Sequence, residues 1–324
     1  MVLLLKESDV AKLLDMKSTV ACLEETFHEQ SEKRAVQPER QVIQSTNNPA
    51  AVVRIMAASI EKIHATGLKV LLGTPAKRKP HATYFTTLLF DPEDAHLLAI
   101  ISAGRLTQLR TGGASAIATK YLANPHPTTI GIAGAGVQGF GQLEAIASIT
   151  KLEGGYIFDV DQARAQTFVN DAKTKLNIDL KPTSKVDDLY NVNIICTATT
   201  ATKPILFGTQ LKPGVHINAV GSNAPNRQEI HESVFLRSKV YVDKREQVLK
   251  EAGDLAIPIK QGLYKAENLA GELCDVLTGK IKGRTSNSDL TVFKSVGIAL
   301  EDIAVARVAY DSAIKKNIGI EIEF

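Results

Sequence analysis

The sequence has few cysteines and no metal-ligand spacing, and these absences exclude whole classes of protein. Only three cysteines occur in 324 residues, at positions 22, 196 and 274, far apart and without a C-x-x-C spacing. This pattern argues against a disulfide framework and against a zinc site, and it favours a cytoplasmic location. No two histidines have the H-x-x-x-H spacing, so we expect no bound metal.

Long apolar runs and a strong net charge are also absent. No segment reaches the ~18 apolar residues that a membrane-spanning helix requires, and the apolar stretch at residues 2–5 is too short for a secretory signal. It reads as a strand leading to a helix cap at Ser8 or Asp9. The net charge is only +3, with Lys and Arg spread along the chain. We therefore expect neither a membrane nor a nucleic-acid partner.

The hydrophobic pattern changes along the chain, and the length favours two domains. Residues 8–34 have a helical period, strand-like runs follow over residues 40–102, and a helix is predicted over 105–123. From residue 128, short β-branched runs alternate with helices, as in a doubly wound parallel sheet. The last long helix, after about residue 295, is expected to return to the first domain. The prediction is an α/β protein: a Rossmann sheet plus a discontinuous α+β domain.

The strongest motif is a glycine-rich stretch, TTIGIAGAGVQGFGQLEAI, at residues 128–146. Gly134, Gly136 and Gly139 form G-x-G-x-x-G between a predicted strand and a predicted helix. Such glycines permit a tight turn and a close approach of the backbone to a pyrophosphate, which the helix N-terminus then binds. The stretch predicts a dinucleotide site. The alternative is a glycine turn that only lets the helix pack on the strand.

An acidic residue follows at the spacing that this motif requires. Asp159 ends the next predicted strand, 20 residues after Gly139. A carboxylate there accepts hydrogen bonds from the adenosine ribose and repels a 2′-phosphate. The nearest arginine is Arg164, so we predict NAD rather than NADP as the cofactor. In the alternative interpretation Asp159 only caps a helix, with Asp161 as a rival cap.

Further segments make the chain resemble the ornithine cyclodeaminase/mu-crystallin family, which includes archaeal-type alanine dehydrogenases and cyclic ketimine reductases. Besides the glycine loop, they are GLKVLLGTPAKR (67–78), LLFDPED (88–94), RLTQLRTGGASAIATKYLA (105–123), GVHINAVGSNAPNRQEI (214–230), EAGDLAIPI (251–259) and TVFKSVGIALEDIAVA (291–306). The resemblance covers nearly the whole chain. It implies a substrate-binding and dimerisation domain at 1–116 plus 296–324, an NAD-binding Rossmann domain at 117–295, and a homodimer.

The resemblance also implies three basic residues that bind a small 2-amino or 2-imino acid. Arg54 and Arg110 would hold its carboxylate, which suits a planar guanidinium. Lys69, if desolvated, would assist proton transfer. In the alternative interpretation Arg54 and Lys69 are solvated strand residues, and Arg54 is followed by M-A-A where the family has M-P-A. Lys77 and Arg78 are expected to be loop charges.

One position departs from the cyclodeaminases. Their loop after INAVG carries an aspartate that resembles a general base, and Asn223 stands there in this chain. Asparagine cannot take up a proton, which counts against cyclodeamination and favours simple reduction or dehydrogenation. Alternatively, Asn223 is a turn residue in a left-handed conformation. Other predicted cofactor contacts are Thr111, Val137, Gln138, Thr197, Val220 and Ser222, with an ordinary turn role open for Thr197.

The predicted function is an NAD(H)-dependent oxidoreductase acting on the C–N centre of small 2-amino or 2-imino acids. It would be an alanine-type dehydrogenase or a cyclic ketimine (pyrroline-2-carboxylate) reductase, with Lys69 and Asn223 as catalytic residues. Two alternatives remain: an ammonia-releasing ornithine cyclodeaminase, and a crystallin-like protein that binds NAD(P)H or a small ligand without turnover.

Overall fold

The computed structural model describes residues 1–44, 52–73 and 83–323. The chain forms two compact units, one of Met1–Arg110 with Ile298–Phe324 and one of Thr111–Gly297. The predicted loop charges Lys77 and Arg78 lie outside the described residues. The functions predicted for the two domains, and the limits given for them above, stay predictions.

The strands of the described residues, in chain order, are β1 (Val2–Leu5), β2 (Ala35–Val36), β3 (Gln41–Gln44), β4 (Val52–Ile60), β5 (Ala65–Gly73), β6 (Thr83–Phe90), β7 (Leu97–Ser102), β8 (Thr129–Ala133), β9 (Gly154–Phe158), β10 (Leu180–Thr183), β11 (Ile194–Thr197), β12 (His216–Ala219), β13 (Lys239–Val242), β14 (Leu269–Glu272), β15 (Thr291–Lys294) and β16 (Ile320–Ile322).

The helices of the same residues are α1 (Glu7–Leu13), α2 (Met16–Ser31), α3 (Gly104–Leu122), α4 (Val137–Ile149), α5 (Gln162–Leu176), α6 (Glu232–Leu236), α7 (Arg245–Glu251), α8 (Gly253–Lys260), α9 (Leu273–Leu277) and α10 (Ala299–Lys316). Within the described ranges, none of them combines the length and the apolar character needed to cross a membrane.

The first unit contains a largely antiparallel sheet with one face covered by helices. Its strand order is β16-β1-β7-β6-β5-β4-β2, with β3 also on β4, and β1 and β7 are parallel. Helix α10 packs on β4, β5 and β6 and against α2. The approach is close because Gly67 has no side chain: a Cβ there would lie 3.0 Å from Cδ1 of Ile303 on α10.

The opposite face of this sheet carries an exposed apolar row. Cross-strand register places Ile43, Val53, Leu72 and Tyr84 side by side on β3, β4, β5 and β6. Ile43, Leu72 and Tyr84 are 53%, 42% and 62% exposed, respectively. Successive strand residues alternate between faces, so this row points away from the side chains that face α10.

The second unit contains the predicted parallel sheet. Its strand order is β10-β9-β8-β11-β12-β15-β13-β14, with parallel pairing throughout the described register. The chain runs from β8 outward through β9 and β10, then resumes on the other side at β11. Such a reversal opens a crevice at the carboxyl ends of the central strands. Ile132 and Cys196, from β8 and β11, pack with Leu143 of α4 beneath it.

The predicted α/β class, a Rossmann sheet plus an α+β unit, is confirmed. The prediction was wrong at the N-terminal helical segment, which is two helices rather than one. The second helix begins after Asp15, whose side chain caps it by accepting a hydrogen bond from the Ser18 N–H at 2.8 Å. The first cap was also misplaced, because α1 begins at Glu7 with Lys6 as its N-cap, and Asp9 instead accepts from the Lys6 N–H.

Candidate functional site

A buried lysine lies on the helix-covered face of the first unit's sheet. Lys69 on β5 is paired with Met56 on β4 and Thr87 on β6. Its Nζ donates to Oδ1 of Asp302 on α10 at 2.8 Å and to Oγ1 of Thr107 on α3 at 2.7 Å. The residue is 0% exposed. This burial excludes the alternative interpretation of Lys69 as a solvated strand residue.

The environment of Lys69 lowers the pKa of its ammonium group. Burial lowers its pKa to about 8, because desolvation penalises the charged ammonium. The negative charge and hydrogen bond of Asp302 oppose this shift, whereas the positive charge of Arg110 adds to it. An ammonium group with such a pKa gives up and regains a proton readily under physiological conditions.

Arg110 joins the same buried cluster through a second acidic residue of α10. Its Nη1 donates to Oε2 of Glu301 at 2.7 Å, and its Nε lies 3.1 Å from Oδ1 of Asp302. Two cations therefore face two adjacent carboxylates with little access to water, and opposite charges of this kind compensate each other's desolvation. Oδ2 of Asp302 accepts no hydrogen bond from the described residues, so the cluster retains one buried acceptor beside Lys69.

Two further arginines bear on this cluster. Arg54 on β4 is half-buried and two residues before Met56, so its side chain lies on the same face of the sheet as Lys69. The positive charge of Arg40, which precedes β3, contributes to the lowered pKa of Lys69. The structure thus brings Lys69 and Arg110 into contact with a shared partner, Asp302, and it places Arg54 on the same face of the sheet as Lys69.

The partners of Lys69 and Arg110 were missed by sequence reasoning. Glu301 and Asp302 stand in the otherwise apolar run SVGIALEDIAVA, and both are 0% exposed. Two acids among apolar neighbours on both sides were a usable signal, because a buried carboxylate requires a cation or a set of donors. Thr107 and Arg40 carried no comparable signal, since a threonine in a helix and an arginine before a strand are common.

In the second unit, the predicted glycine motif forms the turn between β8 and α4. Gly134 has a φ of 105°, and a Cβ there would lie 2.6 Å from the Ala198 carbonyl oxygen. A Cβ at Gly139 would collide with the carbonyl oxygen of Gly134, inside the turn itself. Only glycine fits these two positions. Helix α4 then begins at Val137 with its N-terminus at the crevice.

Asp159 holds this turn through hydrogen bonds to backbone groups. Its Oδ2 accepts from the Ala135 N–H at 2.8 Å, and its Oδ1 accepts from the Asp161 N–H at 2.9 Å. The cap of α5 is Asp161, which accepts from the Ala163 and Arg164 N–H groups. The interpretation of Asp159 as the helix cap is therefore wrong.

A cavity of about 490 Å³ lies where these groups meet. The residues that line it come from the glycine turn and the start of α4, from the segment after β9 and the start of α5, and from the segment after β11. They include Gly134, Gly136, Val137, Gln138, Asp159, Arg164, Thr199 and Thr202. Thr197 is instead fully buried. Thr111 accepts from Gln142 of α4 through its carbonyl oxygen, and a Cβ at neighbouring Gly112 would collide with the Gly141 carbonyl oxygen.

The loop after β12 contains the remaining predicted residues. The N–H groups of Val220 and Gly221 both donate to the carbonyl oxygen of Thr197, at 2.9 and 3.0 Å. Ser222 has a φ of 54° and donates its hydroxyl proton to the Arg227 carbonyl oxygen. The left-handed residue of this loop is therefore Ser222 rather than Asn223, which is exposed.

An exposed acidic turn is the one candidate metal cluster that the described residues present. Ligand atoms of Asp91, Asp94 and His96 lie within 4.8 Å of one another. Asp91 and Asp94 accept hydrogen bonds from the N–H groups of Glu93 and His96, two residues onward. This geometry is that of an ordinary turn and carries no argument for an ion.

The glycine turn, the acidic residue after β9 and the parallel sheet define a dinucleotide-binding α/β protein. A model of the ornithine cyclodeaminase/mu-crystallin family matches residues 1–317. The chain therefore belongs to this family. It is 32% identical over 326 residues to a Δ1-pyrroline-2-carboxylate reductase of Bacillus cereus, covering 99% of this chain and 100% of that protein.

Solved structures are similar over the full length. The Δ1-pyrroline-2-carboxylate reductase of Thermococcus litoralis, in complex with NADH and L-proline, is 33% identical with a TM-score of 0.95, covering 99% of this chain and 100% of that one. An archaeal alanine dehydrogenase dimer with bound NAD is 28% identical with a TM-score of 0.94, covering 100% of this chain and 99% of that one.

The buried charge cluster gives a stability prediction. Asp302→Leu leaves the Lys69 ammonium buried beside Arg110 without its carboxylate, so we expect the free energy of unfolding to fall by about 3 kcal/mol or more. The double variant Lys69→Met/Asp302→Leu replaces the ion pair by apolar groups and is expected to recover most of this loss. Urea unfolding followed by circular dichroism measures both. A double variant as unstable as the single one would contradict the pairing.

Proposed function

We propose that this protein is an NAD(H)-dependent oxidoreductase acting on the C–N centre of small 2-amino and 2-imino acids, and that a cyclic ketimine of the pyrroline-2-carboxylate type is its substrate. The observation that carries the proposal is the buried Lys69, whose pKa is lowered to about 8 in direct contact with Asp302 and beside Arg110. A reductase of this kind needs a proton donor and a carboxylate-binding cation. Both are present in a chain that belongs to the family.

The second unit fits a dinucleotide. The cavity at the carboxyl ends of β8 and β11 is bordered by the N-terminus of α4, whose N–H groups suit a pyrophosphate. Asp159 lines the same cavity and presents a carboxylate to the ribose hydroxyls. Gln138 contributes a buried Oε1 that accepts no hydrogen bond from the described residues. We assign Thr111, Val137, Val220 and Ser222 to the same binding region. Buried Thr197 supports this region through its carbonyl oxygen, which accepts hydrogen bonds from the loop after β12.

The residues of the first unit supply binding and proton transfer. Arg110 and Arg54 bind the substrate carboxylate, which a guanidinium matches with two parallel hydrogen bonds. When bound, the reduced nicotinamide supplies a hydride to the imine carbon. Lys69 delivers its Nζ proton to the imine nitrogen, so the C=N bond becomes CH–NH and Lys69 is left neutral beside Asp302. In the oxidative direction neutral Lys69 takes that proton back.

Asn223 supports simple reduction rather than cyclodeamination. Its amide orients a ligand by hydrogen bonding and cannot act as a base. The three cysteines are unpaired, in line with the cytoplasmic location that we propose.

The decisive experiment compares substrates in the presence of NADH. We expect NADH oxidation with Δ1-pyrroline-2-carboxylate, and we would test pyruvate with ammonia or methylamine in parallel.

Lys69→Met should reduce turnover by about 100-fold or more, because it removes the proton donor, while the NADH dissociation constant stays within a few-fold. For the wild type, kcat/KM of imine reduction should fall as the pH rises through about 8, where Lys69 loses its proton.

The matched control is Lys62→Met, which removes an exposed lysine that pairs with Glu25 and should leave turnover unchanged. Unaltered turnover in Lys69→Met would remove this residue from the mechanism. Release of ammonia from ornithine without net NADH oxidation would identify a cyclodeaminase instead. NADH binding without turnover of any of these substrates would favour the binding-protein alternative.

Asp159 should determine the preference for NADH over NADPH. Asp159→Ala removes both the ribose acceptor and the charge that repels a 2′-phosphate, so NADH affinity should fall about tenfold while NADPH affinity falls less or rises. Fluorescence titration with each dinucleotide measures this ratio. Asp161→Ala, which removes only the cap of α5, is the control and should leave the ratio unchanged. An equal loss for both dinucleotides in Asp159→Ala would refute the ribose assignment.

We also propose that the protein is a homodimer formed through the exposed face of the first unit's sheet. The apolar row of Ile43, Val53, Leu72 and Tyr84 continues into half-buried Ile55 and Val70 on the same face. Contiguous exposed apolar surface of this kind is typical of an interface. The alanine dehydrogenase that this chain resembles is a dimer, which supports a second copy of the chain as the occupant.

A charge placed in this row should prevent association. Leu72→Glu forces a carboxylate into the apolar interface, so we expect a monomer at concentrations where the wild type is a dimer. Sedimentation analysis measures the mass in solution. Leu263→Glu, at an exposed apolar residue of the second unit, is the control and should remain dimeric. A dimeric Leu72→Glu variant, or a monomeric wild type, would contradict this interface.

A further inference from the structure

The second unit contains a buried cluster of charged side chains that the proposed reaction does not use. Lys294 at the end of β15, Asp254 at the start of α8 and Glu229 before α6 are each 0% exposed. Nζ of Lys294 donates to Oδ2 of Asp254 at 2.8 Å and to the carbonyl oxygen of Gly221. Asp254 in turn accepts through Oδ1 from the N–H groups of Glu229 and Ile230, at 2.6 and 2.9 Å.

Glu229 touches two loops that follow neighbouring parallel strands. Its Oε1 accepts from the N–H of Thr199, after β11, at 2.6 Å. Its Oε2 lies against Gly221, after β12, so closely that a Cβ on Gly221 would collide with it. Glycine is therefore required at position 221 as long as Glu229 occupies this space. Thr199 lines the cavity of the glycine turn, whereas Gly221 leads directly to Ser222 and Asn223.

Glu229 lies beside the Lys294–Asp254 ion pair, and its backbone N–H donates to Asp254. The cation of the cluster, Lys294, bonds to Asp254 and Gly221, and Oε2 of Glu229 has no hydrogen-bond partner within the described residues. Burial raises the pKa of Glu229, and the neighbouring Asp254 carboxylate raises it further. Glu229 thus contributes shape and a hydrogen-bond acceptor for the Thr199 N–H.

We propose that Glu229 is a positioning residue that joins the loop after β11 to the loop after β12, and thereby fixes the cavity-lining Thr199 segment relative to Asn223. The carboxyl ends of these strands are where a doubly wound sheet holds its ligand. Glu229 acts through the two loops and touches neither substrate nor cofactor. The inference rests on the proposed function for its kinetic readout, since placement of these loops matters only to a bound dinucleotide and substrate.

The test compares two substitutions of Glu229, one that keeps its contacts and one that removes them. Glu229→Gln keeps the shape and the acceptor for Thr199, so kcat, KM and the NADH dissociation constant should stay within about twofold of the wild type. Glu229→Ala removes the acceptor of the half-buried Thr199 N–H and frees Gly221 from its neighbour. We expect kcat/KM for the ketimine to fall about tenfold or more, through a lower kcat and weaker NADH binding.

A matched control separates positioning from general stability. Tyr190→Phe also leaves a backbone N–H unpaired, that of Phe207, which donates to the Tyr190 hydroxyl at 2.9 Å. It should lower the thermal unfolding midpoint by a similar amount without changing the kinetics. Kinetics of Glu229→Ala that match those of Tyr190→Phe would overturn the proposal. Impairment of Glu229→Gln equal to that of Glu229→Ala would overturn it too, because the shape and the Thr199 acceptor, which Glu229→Gln retains, would then not explain the effect.

Amide hydrogen exchange tests the same inference without activity. In Glu229→Ala, the peptides that contain Thr199 and residues 220–223 should exchange several-fold faster than in the wild type, and in Glu229→Gln they should not. Unchanged exchange in Glu229→Ala would refute the linkage. A wild type that neither binds NADH nor reduces a ketimine would refute the proposed function, and this exchange pattern would still decide whether Glu229 joins the two loops.

Discussion

The burial of the Lys69 ammonium is the constraint on which the first unit depends. A charged group out of water is costly unless partners compensate it, and here the two partners come from two separate helices. Lys69 on β5, Thr107 on α3 and Asp302 on α10 meet at hydrogen-bond distance, although Asp302 is 233 residues away in sequence from Lys69. The C-terminal helix therefore has to return to the N-terminal sheet. Because Asp302 offsets the effect of burial only in part, the pKa of the Lys69 ammonium group is lowered to about 8. Proton transfer is most useful close to this pH.

In the second unit, the groups that need partners are backbone N–H groups. At the carboxyl ends of its parallel strands the chain turns sharply, and each turn leaves backbone N–H groups outside the strand ladder. Buried carboxyl groups accept them: Asp159 from Ala135, Glu229 from Thr199, and Asp254 from Glu229 and Ile230. Groups of the protein itself thus hold these loops in place. A site with fixed loops loses less conformational entropy on binding, which is the advantage of preorganisation.

Patterns with a local cause were read correctly. Helix α5 belongs to the predicted alternation of strands and helices, and its limits have local causes, because Asp161 caps its N-terminus and left-handed Asn177 ends it. The glycine motif could be recognised because its cause is local. At two of its glycines, atoms of the turn itself or of one neighbouring loop leave no room for a side chain. The first helix was harder, because an apolar period continues through the break at Asp15, and periodicity does not distinguish one helix from two that pack on the same core.

The α/β class, the parallel sheet of the second unit and the glycine turn could be predicted from the pattern of the sequence, and the resemblance to the family pointed to Lys69 and Arg110. What surrounds these two cations could not be predicted from either. Whether a strand lysine is solvated or buried depends on which helix covers its face, and that contact joins segments from opposite ends of the chain. The acidic partners on α10 and the loop contacts of Glu229 follow from the same cause: long-range packing sets them, and no local period in the sequence records it.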